Sequence, residues 1–332
     1  MNDSITRRTL LGTSLGVATA AALARTGLAH EGHGTPSATP ATGEWTWTDA
    51  RGVTITLPEA PKRVVAMSYA AQSLYDFGVE VVGHYGVDPT VEGREVIGDF
   101  DLSTIPYLGP YDAFDIEKFL EIDADLVVDY SWGEGDAATF WFLAGDSRTQ
   151  VEAIAPVAGI SMAGTSVDVS IKQVESLAAA LGADAETEAI AASREAYTAA
   201  SDTLTAAATE NPGLKVMALQ GDGETLYIAN PDYHADLIRF KELGVTFTVF
   251  EVDPESDNFW GIYSAEELGT LPTDIFLTLG DLSGLGIWNS LPAVQAGQVG
   301  EWIFSRRLSY TGFTANLEAM TELIASSEIV AE

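Results

Sequence analysis

The chain has 332 residues, 46 % of them apolar, with 16 Lys+Arg against 49 Asp+Glu, a formal net charge of −33 and no cysteine. The apolar fraction excludes wholesale disorder, and the length permits one large domain or two of ordinary size. The acidity leaves no electrostatic footprint for nucleic acid or an anionic membrane surface, and the lack of cysteine excludes disulfides, thiolate metal sites, a cysteine nucleophile and a lipid-modified N-terminal cysteine.

Arg7 and Arg8 stand before an apolar run over 10–24. Gly27-Leu28-Ala29 or Ala22-Leu23-Ala24 then offers a small-x-small cleavage site. This is the n-, h- and c-region order of an export signal, expected over 1–29. The run is shorter than the roughly 20 residues a stable membrane span needs. Thr6-Arg7-Arg8-Thr9-Leu10-Leu11 resembles the twin-arginine signal, whose route exports folded proteins. A G-x-S-x-G match at 12–16 falls inside this segment, without strand–turn–helix context, and is not a hydrolase elbow. Residues 30–43 read as a flexible spacer, on which His30 and His33 make a poor metal site.

From 44 the sequence predicts a β-hairpin over 44–57 about Arg51-Gly52. A buried strand follows at 64–67, a helix to Phe77 closed by Gly78, and a strand at 79–82. A helix over 115–120 precedes a buried strand at 126–128, and Phe140-Trp141 reads as core of an apolar helix. Helices are expected from Asp168 to Gly182, and from an Asp184 cap to Glu210, the second roughly 40 Å long. Strands at 215–219, 225–229, 246–250, 274–279 and 299–304 then alternate with helices at 233–243 and 264–268, and a helix over 314–326 closes the chain. Strands alternating with helices on both sides of a long helix predict an α/β fold: two lobes with parallel-rich sheets joined by one long rigid helix. The expected divisions are an N-terminal lobe at 44–167, a helical linker at 168–212 and a C-terminal lobe at 213–332.

Five segments in this order resemble the helix-linked class of ABC-importer substrate-binding proteins that includes ferric-siderophore, haem and cobalamin binders. They are Thr48-Asp49-Ala50-Arg51-Gly52-Val53-Thr54-Ile55 through Pro61-Lys62-Arg63-Val64-Val65-Ala66; Leu74-Tyr75-Asp76-Phe77-Gly78-Val79; Gly109 through Asp115-Ile116-Glu117-Lys118-Phe119-Leu120 to Asp123-Ala124-Asp125-Leu126-Val127-Val128; Ser264-Ala265-Glu266-Glu267-Leu268 to Pro272-Thr273-Asp274-Ile275-Phe276; and Trp288-Asn289-Ser290-Leu291-Pro292-Ala293-Val294-Gln295-Ala296-Gly297-Gln298-Val299. Ala124 stands where the family usually has proline. The resemblance implies a ligand cleft between the lobes, little movement on binding, and a permease and ATPase as partners. It also implies that Glu117 and Glu266, one per lobe, dock to permease arginines. Each also begins a helix, where a carboxylate favours the helix dipole in any case.

In open α/β sheets, ligands bind beyond the carboxyl ends of the strands. That rule selects loops carrying Tyr69, Tyr111, Trp132, Tyr233, Trp260, Arg306, Arg307 and Tyr310 as candidate ligand contacts. Aromatics give stiff contact area, and a guanidinium binds carboxylate or hydroxamate oxygens. Trp45, Trp47, Trp288 and Trp302 read as core or hairpin cover. No G-x-G-x-x-G, P-loop or H-E-x-x-H occurs, so no enzyme activity, cofactor or resident metal is expected. The expectation is an exported, monomeric receptor for an iron chelate, with hydroxamates favoured over polyanionic catecholates by the negative surface. A binder of haem, cobalamin or a bare metal ion, or a sensor without an importer, is the alternative.

Overall fold

The computed structural model describes residues 43–88, 100–110, 113–221, 225–302, 304 and 307–331. The expected export signal with Arg7 and Arg8, nearly all of the expected spacer, Tyr111 and Arg306 lie outside the described residues.

The expected hairpin forms from β1 (Trp45–Thr48) and β2 (Thr54–Leu57), antiparallel, with Trp47 opposite Ile55. Its turn is closed by the Asp49 carboxylate, which accepts the N–H groups of Arg51 and Val53 and pairs with the buried Arg51 guanidinium. Arg51 also donates to the Val157 carbonyl at 2.6 Å, which fastens the hairpin to the first lobe.

That lobe runs β3 (Val64–Met67), α1 (Ser68–Asp76), β4 (Gly83–Tyr85), α2 (Ile116–Ile122), β5 (Leu126–Trp132), β6 (Thr139–Phe140), α3 (Gly145–Glu152) and β7 (Val157–Ser161). β4, β3, β5 and β7 lie side by side and parallel, while β6 turns back antiparallel on Ser131 and Trp132. β5 is buried through six of its seven residues, as a central parallel strand covered on both faces must be. The fourth strand lies at 83–85 rather than 79–82. Val79 serves the end of α1 instead, its N–H bonding the Leu74 carbonyl. Phe140 and Trp141 are in no helix: Phe140 belongs to β6 and Trp141 follows it.

α4 (Val167–Ala180) and α5 (Glu188–Glu210) link the lobes. The long helix starts later than Asp184, because that carboxylate closes a local turn on the Glu186 N–H and Thr187 supplies the cap to Ile190. Its 23 residues give a rod of about 35 Å. Ile190, Tyr197, Ala200, Leu204 and Ala207 form its buried stripe.

The second lobe runs β8 (Lys215–Gly221), β9 (Thr225–Ala229), α6 (Ala235–Glu242), β10 (Thr246–Phe247), β11 (Trp260–Ser264), α7 (Ala265–Leu268), β12 (Ile275–Leu279), α8 (Pro292–Gln295), β13 (Val299–Glu301) and α9 (Tyr310–Ser326). The sheet order is β11-β9-β8-β12-β13, with β10 beside the start of β8. β12 is parallel to β8 and β13, whereas β9 is antiparallel to both β8 and β11. α9 begins at Tyr310, four residues before the expected start, because Ser309 caps the Gly312 N–H. It packs along α5. One continuous apolar core extends from β1 through α4, α5 and α9 into the second sheet, and a smaller cluster covers the outer face of that sheet.

Candidate functional site

Where the carboxyl ends of the two sheets meet, a cavity of about 360 Å³ opens between the lobes. The first lobe contributes Trp132 at the end of β5, Trp141 after β6 and Met162 after β7. The second contributes Gln220 near the end of β8, Leu279 at the end of β12, Phe259 and Trp260 at the start of β11, and Phe304 beyond β13. Five of these eight are aromatic and none is charged. Gln220 alone among them carries a polar side chain.

Backbone geometry explains why the rings converge. Asp257 and Asn258 adopt positive φ of 51° and 67°, which these two residue types tolerate best after glycine. The resulting tight turn is held by Ser256, whose Oγ donates to the Trp260 carbonyl and accepts its N–H. Asn230 clasps the same turn, its Nδ2 donating to the Asn258 carbonyl at 2.8 Å. Phe259 and Trp260 are thereby fixed at the cleft. Across it, Trp132 meets Phe259 edge-to-face at 5.2 Å, and Trp141 meets Phe304 edge-to-face at 5.3 Å. Both ring pairs join one lobe to the other.

Each wall has its own support. Behind the second-lobe wall, fully buried His234 sits edge-to-face against Phe259, Trp260, Trp302 and Phe304, at 4.9 to 5.2 Å. Its Nε2–H donates to the Phe259 carbonyl, and burial pushes its pKa down to about 3, so the ring is neutral. Trp302 donates its indole N–H to Asp236 at 2.7 Å. In the first lobe Trp141 lies against Tyr69 and Tyr130, at 5.6 and 6.2 Å. The Tyr130 hydroxyl is locked by Ser73 and the Tyr69 carbonyl.

The structure brings Trp132 and Trp260 to the cavity. Tyr69 and Tyr233 stand one layer behind it, against Trp141 and Phe259 respectively. Arg307 and Tyr310 are engaged elsewhere. Arg307 grips the Asp76 carboxylate at the end of α1 in a two-pronged ion pair. Tyr310 is buried against Phe77 and Tyr197, with its hydroxyl donating to Glu175. Both serve packing at the start of α9 rather than the cavity wall. Glu117 and Glu266 are exposed in the first turns of α2 and α7. Among the described residues no group of three His, Cys, Asp or Glu side chains could hold a metal ion, and no helix is long and apolar enough to cross a membrane.

Gln220, Met162, Leu279 and Phe304 were not singled out by the sequence, and Trp141, expected in the core of a helix, lines the cavity instead. Leu279 and Gln220 lie within strand ends, where the strand-end rule finds them once β8 and β12 are bounded. Trp141 depends on β6, a two-residue strand without sequence periodicity.

No family model and no curated protein matches the sequence. Solved structures do match. DesE, a ferric-siderophore receptor protein from Streptomyces coelicolor, is 28 % identical, covering 86 % of this chain and 100 % of its own, with a TM-score of 0.80. A FhuD fold-family periplasmic binding protein component of a ferrichrome ABC transporter from Bacillus subtilis is 19 % identical over 84 % of this chain and 99 % of its own, with a TM-score of 0.56. The Fe³⁺–Desferal-bound siderophore binding protein FhuD from Vibrio cholerae is 19 % identical over 80 % and 99 %, with a TM-score of 0.57.

Proposed function

We propose that this chain, a member of the helix-linked substrate-binding proteins of ABC importers, captures a ferric siderophore in the aromatic cleft and delivers it to a membrane permease. It is a binding protein and not an enzyme, like the solved proteins it resembles. The observation that carries the ligand reading is the uncharged, ring-lined cavity between the lobes. A ferric chelate hides its ion inside an organic shell, so the protein needs no metal ligands of its own. It needs stiff apolar surface for the shell and few polar contacts to orient it.

The charge of the chain narrows the ligand. A polyanionic triscatecholate would enter a cleft with no cation on its described lining, in a protein of net charge −33. A neutral or cationic hydroxamate chelate meets no such repulsion. Haem and bare metal ions are less well served, because no described histidine lines the cavity. Glu117 and Glu266 would meet basic residues of the permease, one contact from each lobe, and the partner ATPase would supply the energy. Export through the twin-arginine-type signal would place a monomeric receptor outside the cytoplasm.

Calorimetric titration with a panel tests the reading: ferric desferrioxamine, a ferric triscatecholate, haem, cobalamin and bare Fe³⁺. Saturable binding of the hydroxamate chelate, weakened in Trp132→Ala and Trp260→Ala, is expected. Binding of the bare ion alone, or of no chelate, would contradict it.

A further inference from the structure

Asp129 lies on β5 and is fully buried. Its Oδ2 gathers three donors: the Tyr85 hydroxyl at 3.0 Å, the Leu143 N–H at 2.9 Å and the Phe142 N–H at 3.3 Å. The last two belong to the short strap 141–143, which carries Trp141 to the cleft wall. The strap's first N–H, that of Trp141, donates to the Tyr130 carbonyl, the residue next to Asp129. One carboxylate oxygen therefore holds two consecutive amides of the segment that places a cleft tryptophan against Phe304.

We propose that Asp129 is a positioning residue for the cleft, its ionised carboxylate fixing strap 141–143 and so the ring of Trp141. The proposal rests on the reading of the cavity as the ligand cleft. Ionisation matters because a charged acceptor makes hydrogen bonds roughly twice as strong as a neutral one.

The surroundings make this acid respond near neutrality. Burial lifts its pKa to about 7, against the opposing pull of its hydroxyl and amide donors. Tyr85 faces it from β4, and the strap presents only Trp141, Phe142 and Leu143. β7 sets Gly159 beside it. Further along that face of the sheet Arg51 is neutralised by Asp49, and Arg148, over the Phe140 ring, is paired with Glu152. The described histidines do not compete, since burial holds His84 at about 4 and His234 at about 3. Acidification through neutrality thus weakens the tie on the strap and loosens Trp141.

The test follows the full chain between about pH 5.5 and 8.5. One readout is the fluorescence of ligand-free protein, taken as wild type minus Trp141→Phe. The other is the affinity for ferric desferrioxamine. The Trp141 signal is expected to titrate near pH 7, and affinity to fall about three- to tenfold from the alkaline to the acid end. Asp129→Asn should flatten both profiles. Tyr85→Phe should keep the transition and move its midpoint upward, because the lost donor favours the ionised form; this variant carries the test if Asp129→Asn does not fold. A flat Trp141 signal in the wild type, an unshifted midpoint in Tyr85→Phe, or a transition that survives Asp129→Asn would overturn the proposal. The fluorescence readout needs no ligand. A Trp141 transition in a protein that binds no chelate would thus count against the ligand reading and support the role of Asp129.

Discussion

Gln220 interrupts a cavity lining that is otherwise aromatic or aliphatic. Apolar walls discriminate weakly between ligands of similar size, whereas a polar group that must be satisfied discriminates strongly. Gln220→Leu is therefore expected to cost about tenfold in affinity for ferric desferrioxamine and to narrow the preference among hydroxamate chelates, as read by calorimetry. Asp129 sets a second residue-scale expectation, in stability rather than binding. Its pKa in the fold lies above its ordinary value, so the folded state binds more protons than the unfolded one between about pH 4 and 7. Its contribution is favourable below that window and is lost as pH rises through it. His84 and His234, pushed down, act in the opposite sense and favour the fold as pH rises toward 6.5. Asp129→Asn removes only the first effect. Thermal melts should show the variant gaining on the wild type from pH 5 to pH 8.

The segment 307–309 is the element that ties the end of the second lobe to α1. Arg307 pairs with Asp76, Ser309 donates to the same carboxylate, and the Leu308 N–H donates to Ser73 at 2.8 Å. Both side chains of the ion pair are only 10 % exposed. Removing one partner leaves a largely buried charge, so Arg307→Ala should destabilise the protein by about 3 kcal/mol in urea unfolding. That role was hidden in the sequence, where Arg307 is simply a conspicuous cation after a strand and suggests a ligand contact. The helix α5 was legible because its pattern is long, a buried stripe over 23 residues, whereas only the apolar Leu126-Val127-Val128 start of β5 was, since Asp129 and Ser131 break the run that the strand continues through to Trp132. β6 and β11 were not. A two-residue antiparallel hook has no period to detect, and the sequence Trp260–Ser264 reads as loop until its pairing with β9 is seen. Trp132 could be selected by its place at the carboxyl end of a strand, Trp260 was selected as a loop residue although it opens β11, and Trp141 required the hook that delivers it.

At the scale of the whole molecule, a single apolar core runs through both lobes and the helices between them. Two aromatic pairs also close across the cleft. Such a body has little freedom to hinge, and small-angle scattering should give the same radius of gyration with and without bound chelate. The proposed docking of the exposed Glu117 and Glu266 to a permease is tested only with the partner present. Glu117→Ala with Glu266→Ala should leave chelate affinity unchanged and abolish stimulation of the reconstituted importer's ATPase. The most direct test of the central claim is a crystal of the protein grown with ferric desferrioxamine and measured at the iron absorption edge. One anomalous peak is expected between the lobes, flanked by Trp132, Trp141 and Trp260, with no protein atom coordinating the iron. An iron peak outside the cleft, or one ligated by protein side chains, would contradict it.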